Sequence, residues 1–163
     1  MLEVPRHAGC PFCEYLDGSR PCAFVFRGDT VSTFLNRTQY ERGALLVVPN
    51  EHRETILDLD SDLLARVYSE AQRVAGGVVA AFGAVGVNIF HNSGVRAGQT
   101  ISHFHVHVVP RYGSSEPWRN FRAEEFDHTP VDQLEEIAVP LRAALNGGHR
   151  SKPGSRKSDE ERR

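Results

Sequence analysis

The chain has 163 residues, which is enough for one compact domain. Hydrophobic residues make up 40% and charged residues 25% of the sequence, the balance of an ordinary globular protein. This composition excludes collagen-like, coiled-coil and wholly disordered chains. The formal net charge is −2, so the chain has no overall basic field and we expect no nucleic-acid partner.

Neither the start of the chain nor its least charged stretch is typical of membrane targeting. Residues 1–9 contain no apolar core, so we predict no signal peptide. The stretch between Arg73 and Arg96 is interrupted by glycines and polar residues, so we predict no membrane span and no membrane partner. Three cysteines do not make a disulfide framework, and we therefore expect a cytoplasmic protein.

The first third of the chain predicts a turn followed by three strands. Cys10-Pro-Phe-Cys13 is interpreted as a tight turn with a thiol on either side. The β-rich runs 23–27 and 30–35 are joined by Gly28-Asp29, a pair that favours a hairpin. The apolar run 44–48 ends at a proline and is typical of a buried strand.

The longest periodic segment begins near Asp60 and predicts a helix. Its apolar residues recur at steps of three and four, while charged residues occupy the other face. Gly76 and Gly77 weaken this helix without ending it, and Gly83 is expected to end it.

The rest of the chain predicts two more strands and a second helix. Residues 85–91 and 101–110 have the pattern of strands, separated by a glycine-containing loop. Residues 131–145 have a helical pattern, which Pro140 is expected to kink or break. This order of elements predicts an α+β fold with an antiparallel sheet.

The last seventeen residues differ in composition from everything before them. Residues 147–163 consist of Gly, Ser, Pro, His and charged residues and carry six Lys or Arg against three Asp or Glu, a charge of +3. We predict a folded domain over residues 1–146, with a charge of −5, and a disordered basic tail over residues 147–163.

Three histidines alternate along one predicted strand. His103, His105 and His107 would project from the same side at steps of roughly 6.6 Å, because strand side chains alternate between faces. The apolar residues between them would face the core. Such a row indicates either a metal site or an imidazole-based catalytic site.

A small loop precedes the histidines and favours the catalytic interpretation. Residues 94–100 offer backbone N–H groups, an amide and a hydroxyl at one place, which is what a phosphate group requires. A phosphate beside an imidazole predicts attack on phosphorus by histidine. Neutral imidazole suits this role near pH 7, because its ordinary pKa is about 6.5.

These motifs resemble the histidine triad (HIT) superfamily of nucleotide hydrolases and transferases. The resemblance rests on the histidine row 103–109 and on the preceding Asn-Ser-Gly-x-x-Ala-Gly-Gln-Thr of residues 92–100. It extends upstream through Phe34-Leu-Asn-Arg37 and Leu45-Leu-Val-Val-Pro49 to His52. It implies an α+β fold with an antiparallel sheet of about five strands, one long helix and a C-terminal helix, assembled as a homodimer.

The resemblance also implies roles for individual residues. His105 would be the nucleophile that carries a nucleotidyl group, and His107 would assist the leaving group. The implied nucleotide contacts are Asn92, Gly98, Gln99 and Thr100 for the phosphate, Asn36 for the ribose, and Phe12 and Phe34 for the base. From the residues alone, Asn36 is better interpreted as a turn residue at a strand end, and the two phenylalanines are equally well interpreted as core residues.

One position departs from the family pattern. Many members have a histidine directly after the glycine that corresponds to Gly43, and this chain has Ala44. In the family that histidine orients the triad through a hydrogen bond. Its absence bears on how the imidazoles are positioned.

The cysteine pair Cys10 and Cys13 allows three interpretations. The pair is a redox motif, two buried thiols, or half of a tetrahedral zinc site that needs two more ligands. Some bacterial-type members of the family combine such a pair with histidines that correspond to His52 and His103. The resemblance therefore implies one structural zinc ion held by these four residues.

Together these features predict an enzyme that cleaves a nucleotide at its α-phosphate. The substrate would carry a purine nucleoside monophosphate moiety, as a nucleoside phosphoramidate or a dinucleoside polyphosphate. Two alternatives remain at this stage: a nucleotide-binding regulatory module with little turnover, and a dinucleoside polyphosphate phosphorylase.

Overall fold

A computed structural model of the protein describes residues 2–115 and 127–147. Its elements, in chain order, are α1 (Pro11–Asp17), β1 (Phe24–Arg27), β2 (Val31–Leu35), β3 (Leu45–Pro49), α2 (Ser61–Phe82), β4 (Gly86–Phe90), β5 (Val106–Arg111) and α3 (Val131–Gly147), with short 3-10 helices at Ile56–Asp58 and Val95–Ala97. None of the helices described combines the length and the apolarity that a bilayer crossing requires.

The five strands form one sheet in the order β1-β2-β3-β5-β4, and every neighbouring pair is antiparallel. The hairpin between β1 and β2 closes through Gly28, whose N–H bonds to the carbonyl of Val31. Helix α2 crosses back to place β4 at the edge beside β5. The predicted α+β fold, with a five-stranded antiparallel sheet, a long helix and a C-terminal helix, is confirmed.

Helices α2 and α3 cover one side of the sheet, which we call the α2 face. Helix α2 begins at Ser61, where the Asp60 carboxylate accepts a hydrogen bond from the N–H of Leu63 (2.8 Å). It ends at Phe82, and the next residue, Gly83, lies in the left-handed region with a φ of 68°. Gly83 therefore ends the helix, as predicted. Gly77 lets α3 approach closely, because a Cβ there would lie 2.7 Å from Leu145.

Helix α3 runs through Pro140 without a break, so the predicted break is wrong. Proline removes one backbone hydrogen bond, and packing on both sides of it offsets that loss. Leu134 and Leu141 are fully buried against the α2 face, one before and one after the proline. The Arg142 guanidinium also donates to the Phe24 carbonyl and ties the second half of α3 to β1.

The other side of the sheet, which we call the α1 face, carries a smaller aromatic core. Residues 10–13, predicted as a tight turn, instead begin helix α1, with Pro11 in its first turn. Seven residues are too few to show a helical period in the sequence. Phe12 and Tyr15 of this helix pack against Phe34 of β2.

Strand β5 is shorter than the predicted strand 101–110, since it begins only at Val106. Its partner β3 ends at Pro49, which has no N–H to extend the ladder. His103 and His105 therefore lie in an irregular segment, whose Phe104 N–H bonds to the Arg53 carbonyl. The first residue of the predicted tail, Gly147, is the last residue of helix α3. Residues 148–163 of that tail lie outside the described part of the chain.

Candidate active site and metal centre

A cavity of about 370 Å³ opens on the α1 face. Its walls come from α1, the end of β2 with the segment after it, the loop before the histidines, and the histidine row itself. Of the predicted site residues, it is lined by His105, His107, Phe12, Phe34, Asn36 and Thr100. Residues far apart in sequence thus meet at one place.

His105 is held with a defined ring nitrogen free. Its Nδ1 lies 2.7 Å from the carbonyl oxygen of His103, and a carbonyl only accepts, so Nδ1 carries the proton. The lone pair then resides on Nε2. The side chain is only 4% exposed, and burial lowers its pKa below the ordinary value. At neutral pH His105 is an uncharged imidazole with a nucleophilic Nε2.

His107 stands beside this ring in an unusual setting. Its ring centre is 4.9 Å from that of His105 and 4.5 Å from that of Phe90, which stacks on it at an interplanar angle of 4°. Burial holds its pKa well below the ordinary value, and the neighbouring His105 adds to the effect. Its Nδ1 is buried and has no hydrogen-bond partner in the structure as described.

Ala44 lies on the same face of the sheet as His107. Leu46 of β3 is paired directly with His107, and Ala44 lies two residues earlier in the chain. A methyl group offers no hydrogen bond, so Ala44 does not supply the one that the resemblance assigns to a histidine at this position.

The predicted phosphate loop is ordered by its own side chains. The Gln99 amide oxygen accepts from the Gly94 N–H (2.6 Å), and its nitrogen donates to the carbonyls of Glu54 (2.7 Å) and Ile101 (2.9 Å). Gln99 is buried and holds the loop, so its side chain does not face the cavity as the resemblance implied.

Asn92 and Gly98 contact each other and do not line the cavity, whereas Thr100, two residues after Gly98, does. The Asn92 amide donates to the Gly98 carbonyl (3.3 Å), and Gly98 has a φ of 87°. Gly98 therefore supplies the left-handed turn that brings Thr100 to the cavity.

Asn36 is a turn residue that also lines the cavity. Its side-chain oxygen accepts from the Thr38 N–H (3.1 Å), which is the turn role, and the residue also lines the cavity. Phe12 and Phe34 likewise belong to the aromatic core and form the cavity floor.

The sequence analysis missed several cavity residues, among them Arg20, Arg37, Tyr40 and His128. Arg20 follows helix α1, which was itself missed. His128 reaches the site through a β-bridge with Thr38, its partner ninety residues earlier, and no local sequence pattern predicts such a pairing.

Four other side chains converge beside the cavity. Cys10, Cys13, His52 and His103 place one ligand atom each within 4.8 Å of one another. The distances from Cys10 Sγ to His103 Nδ1 and from Cys13 Sγ to His52 Nδ1 are both 3.4 Å. A tetrahedral zinc ion separates its sulfur and nitrogen ligands by about 3.5 Å. The spacing fits zinc.

The state of His103 also fits a metal ligand. Its Nε2 donates to the Pro49 carbonyl (2.9 Å), so the lone pair is on Nδ1, the atom that faces the thiols. Burial lowers the pKa of His103 to about 4, which keeps the ring neutral. Burial and the adjacent Cys10 raise the pKa of Cys13 to about 11, an effect that a divalent cation between the thiols would reverse.

Known proteins are similar to this chain in sequence and in fold. A sequence model of the HIT domain matches residues 17–114. The chain is 32% identical to Protein hit of Bacillus subtilis, over 83% of this chain and 94% of that protein. It is 29% identical to adenylylsulfatase HINT3 of Arabidopsis thaliana, over 63% of this chain and 52% of that protein. A zinc-bound histidine triad family protein from Mycobacterium smegmatis superimposes with a TM-score of 0.74 at 30% identity, over 85% of this chain and 94% of that chain.

Proposed function

The chain belongs to the HIT domain family, and from this membership we propose that it cleaves nucleotides at the α-phosphate through a nucleotidyl group carried on His105. The observation that carries the proposal is the buried, neutral His105, whose Nδ1–H is fixed on a carbonyl while the ring lines the cavity. In that arrangement the lone pair on Nε2 is available to attack a substrate bound in the cavity.

The reaction proceeds in two displacements. Nε2 of His105 attacks the α-phosphorus, a P–N bond forms, and the bond to the leaving group breaks. His107, beside the attacking ring, assists the departing group. Water then attacks the same phosphorus, releases a nucleoside monophosphate and restores His105. The leaving group is an amine for a phosphoramidate substrate and a nucleoside polyphosphate for a dinucleoside polyphosphate substrate.

The cavity walls suggest how a purine nucleoside monophosphate lies. Phe12 and Phe34 offer flat apolar surfaces to the base, and Asn36 offers its amide to the ribose. The phosphate then lies between His105 and Thr100, with the turn at Gly98 and Asn92 supporting that wall.

We propose that Cys10, Cys13, His52 and His103 hold one structural zinc ion. Four protein ligands leave no open position on the metal for water, so it supplies rigidity rather than a nucleophile. It would fix His103, whose carbonyl sets the tautomer of His105. Reduced thiols are required, which agrees with a cytoplasmic location.

We further propose that two copies associate through β4. This strand is the edge of the sheet, and apolar side chains beside it are exposed: Val85 at 75%, Ile89 at 41% and Tyr68 of α2 at 37%. A second copy would pair with the open edge and cover these residues, so that the two sheets join. Light scattering of Ile89→Arg against the parent protein tests this assembly.

A second candidate function, a nucleotide-binding module with little turnover, is favoured by Ala44 and the unpartnered Nδ1 of His107. The deciding assay incubates the protein with fluorogenic adenosine and guanosine phosphoramidates and with dinucleoside polyphosphates, each with and without inorganic phosphate. Turnover that His105→Ala abolishes supports the enzyme. Binding without turnover supports the module, and turnover that requires phosphate indicates a phosphorylase.

A further inference from the structure

Two arginines lie at the end of the cavity away from the catalytic histidines. Phe12 touches His105, with ring centres 5.2 Å apart, and Tyr15 is the next ring of α1, 6.1 Å from Phe12. The Arg20 guanidinium lies 5.6 Å from the centre of the Tyr15 ring. Arg20 therefore lines the cavity one ring further from His105 than Phe12 does.

Arg37 lines the same end. The Leu35 N–H bonds to the Ala23 carbonyl (3.0 Å), which brings the segment after β2 beside the segment that carries Arg20. The Nε of Arg37 is buried and makes no hydrogen bond within residues 2–115 and 127–147. Because Nε is buried, a ligand in the cavity would meet Arg37 through the terminal nitrogens of its guanidinium.

Among the described residues, the Arg20 guanidinium is held by its contact with the Tyr15 ring and by one weak ion pair. Its ion pair with Glu14 spans 3.4 Å, and both side chains are 43% exposed. Exposed pairs of this kind are weak. The guanidinium is therefore free to turn toward a ligand edge while Glu14 keeps it near the cavity mouth.

We propose that Arg20 and Arg37 read the edge of the base, and that the cavity prefers guanine to adenine. This inference rests on the proposed nucleotide function, in which the base lies on the surfaces that Phe12 and Phe34 offer to the cavity. Guanine presents two adjacent acceptors, O6 and N7, which match the two parallel donors of an arginine. Adenine presents an amino group at the same place, and that donor opposes a guanidinium.

The test is calorimetric titration of the full chain with GMP, IMP and AMP. IMP shares O6 and N7 with GMP but lacks the 2-amino group. We expect GMP and IMP to bind about tenfold more tightly than AMP, the discrimination of one bidentate arginine contact. Arg20→Leu and Arg37→Leu should each lower that ratio toward one.

Two further variants separate base reading from simple charge. Arg20→Lys keeps the charge but loses the paired donors, so it should retain AMP affinity and lose the preference for GMP. Arg66→Leu removes a positive charge on the exposed side of α2 and should leave the ratio unchanged. Melting temperatures identify any leucine variant that fails to fold. At that position the GMP-to-AMP affinity ratio is measured in the lysine variant instead.

The outcomes distinguish this inference from the function it rests on. Equal affinity of the wild-type protein for GMP and AMP, or a ratio that survives loss of both arginines, overturns the base preference and leaves nucleotide cleavage intact. Failure of all three nucleotides to bind overturns both proposals.

Discussion

The α2 face and the α1 face are built from different side chains. The α2 face is a continuous apolar core in which residues of α2 and α3 pack on those of the strands. The α1 face buries aromatic rings together with three histidines, beside one cysteine on a seven-residue helix and another directly before it. Burying polar groups costs free energy, so the second face is less suited to stabilising the fold. The comparison teaches that the first face carries the stability on which a polar site depends.

The largest effect expected on the α1 face is the loss of catalysis in His105→Ala. Without the Nε2 nucleophile, kcat should fall by more than about 10³-fold, while the melting temperature and nucleotide affinity change little. His91 is a matched control, since it packs against Phe104 and Tyr68 on the α2 face. A rate in His105→Ala close to that of His91→Ala would remove His105 from the mechanism.

The next largest effect should follow removal of the metal. Cys13→Ser breaks the tetrahedral ligand set, so we expect loss of zinc, a markedly lower melting temperature and reduced activity through a loosened His105. Cys22→Ser, outside the cluster, should keep its zinc.

Elemental analysis of protein purified without chelators provides the measurement. Well under one zinc per chain in the parent protein would return Cys10 and Cys13 to being two buried thiols.

A substitution on the α2 face should lower stability and leave activity unchanged, the opposite of what is expected for His105→Ala. Leu141→Ala removes a fully buried side chain of α3 and should lower the free energy of unfolding by about 2–5 kcal/mol. Because Leu141 does not line the cavity, kcat should remain near its wild-type value. Urea unfolding and a steady-state assay on one preparation test both statements, and a large loss of kcat would mean that the two faces are coupled.

Low pH should reduce both the free energy of unfolding and kcat/KM, because it protonates the buried histidines. Burial lowers the pKa values of His103, to about 4, and of His105 and His107. The unfolded chain, with ordinary values of about 6.5, therefore binds more protons, and the free energy of unfolding falls as pH drops below about 6.5. The profile of kcat/KM should stay level through pH 6.5 and fall only below it, when His105 gains a proton. An acid limb centred above 6.5 would contradict this.

The sequence predicted the two faces unequally well. Regular periodicity and a glycine stop predicted α2, and the histidine row with the loop before it identified the family. The nucleophile stays a prediction of that resemblance, while the four predicted metal ligands do lie together in the structure. Helix α1 and the cavity residue His128 were missed, because a seven-residue helix has no readable period and His128 arrives by a long-range bridge. The break predicted at Pro140 failed because tertiary packing outweighed a local preference.

The smallest expected effect concerns Ala44, where the α1 face lacks a hydrogen bond. Ala44→His would place a ring on the same face of the sheet as His107, with a nitrogen available for the buried Nδ1. We expect kcat to rise by roughly tenfold at most, in line with about 1 kcal/mol for one restored hydrogen bond.

Ala44 is itself buried, so added volume alone has a cost, and Ala44→Leu is the control that adds volume without a donor or acceptor. A gain in Ala44→His that Ala44→Leu lacks would show that positioning of His107 limits the native protein. Equal losses in both variants would mean that Phe90, stacked on His107, already fixes the ring and that the missing histidine is not needed.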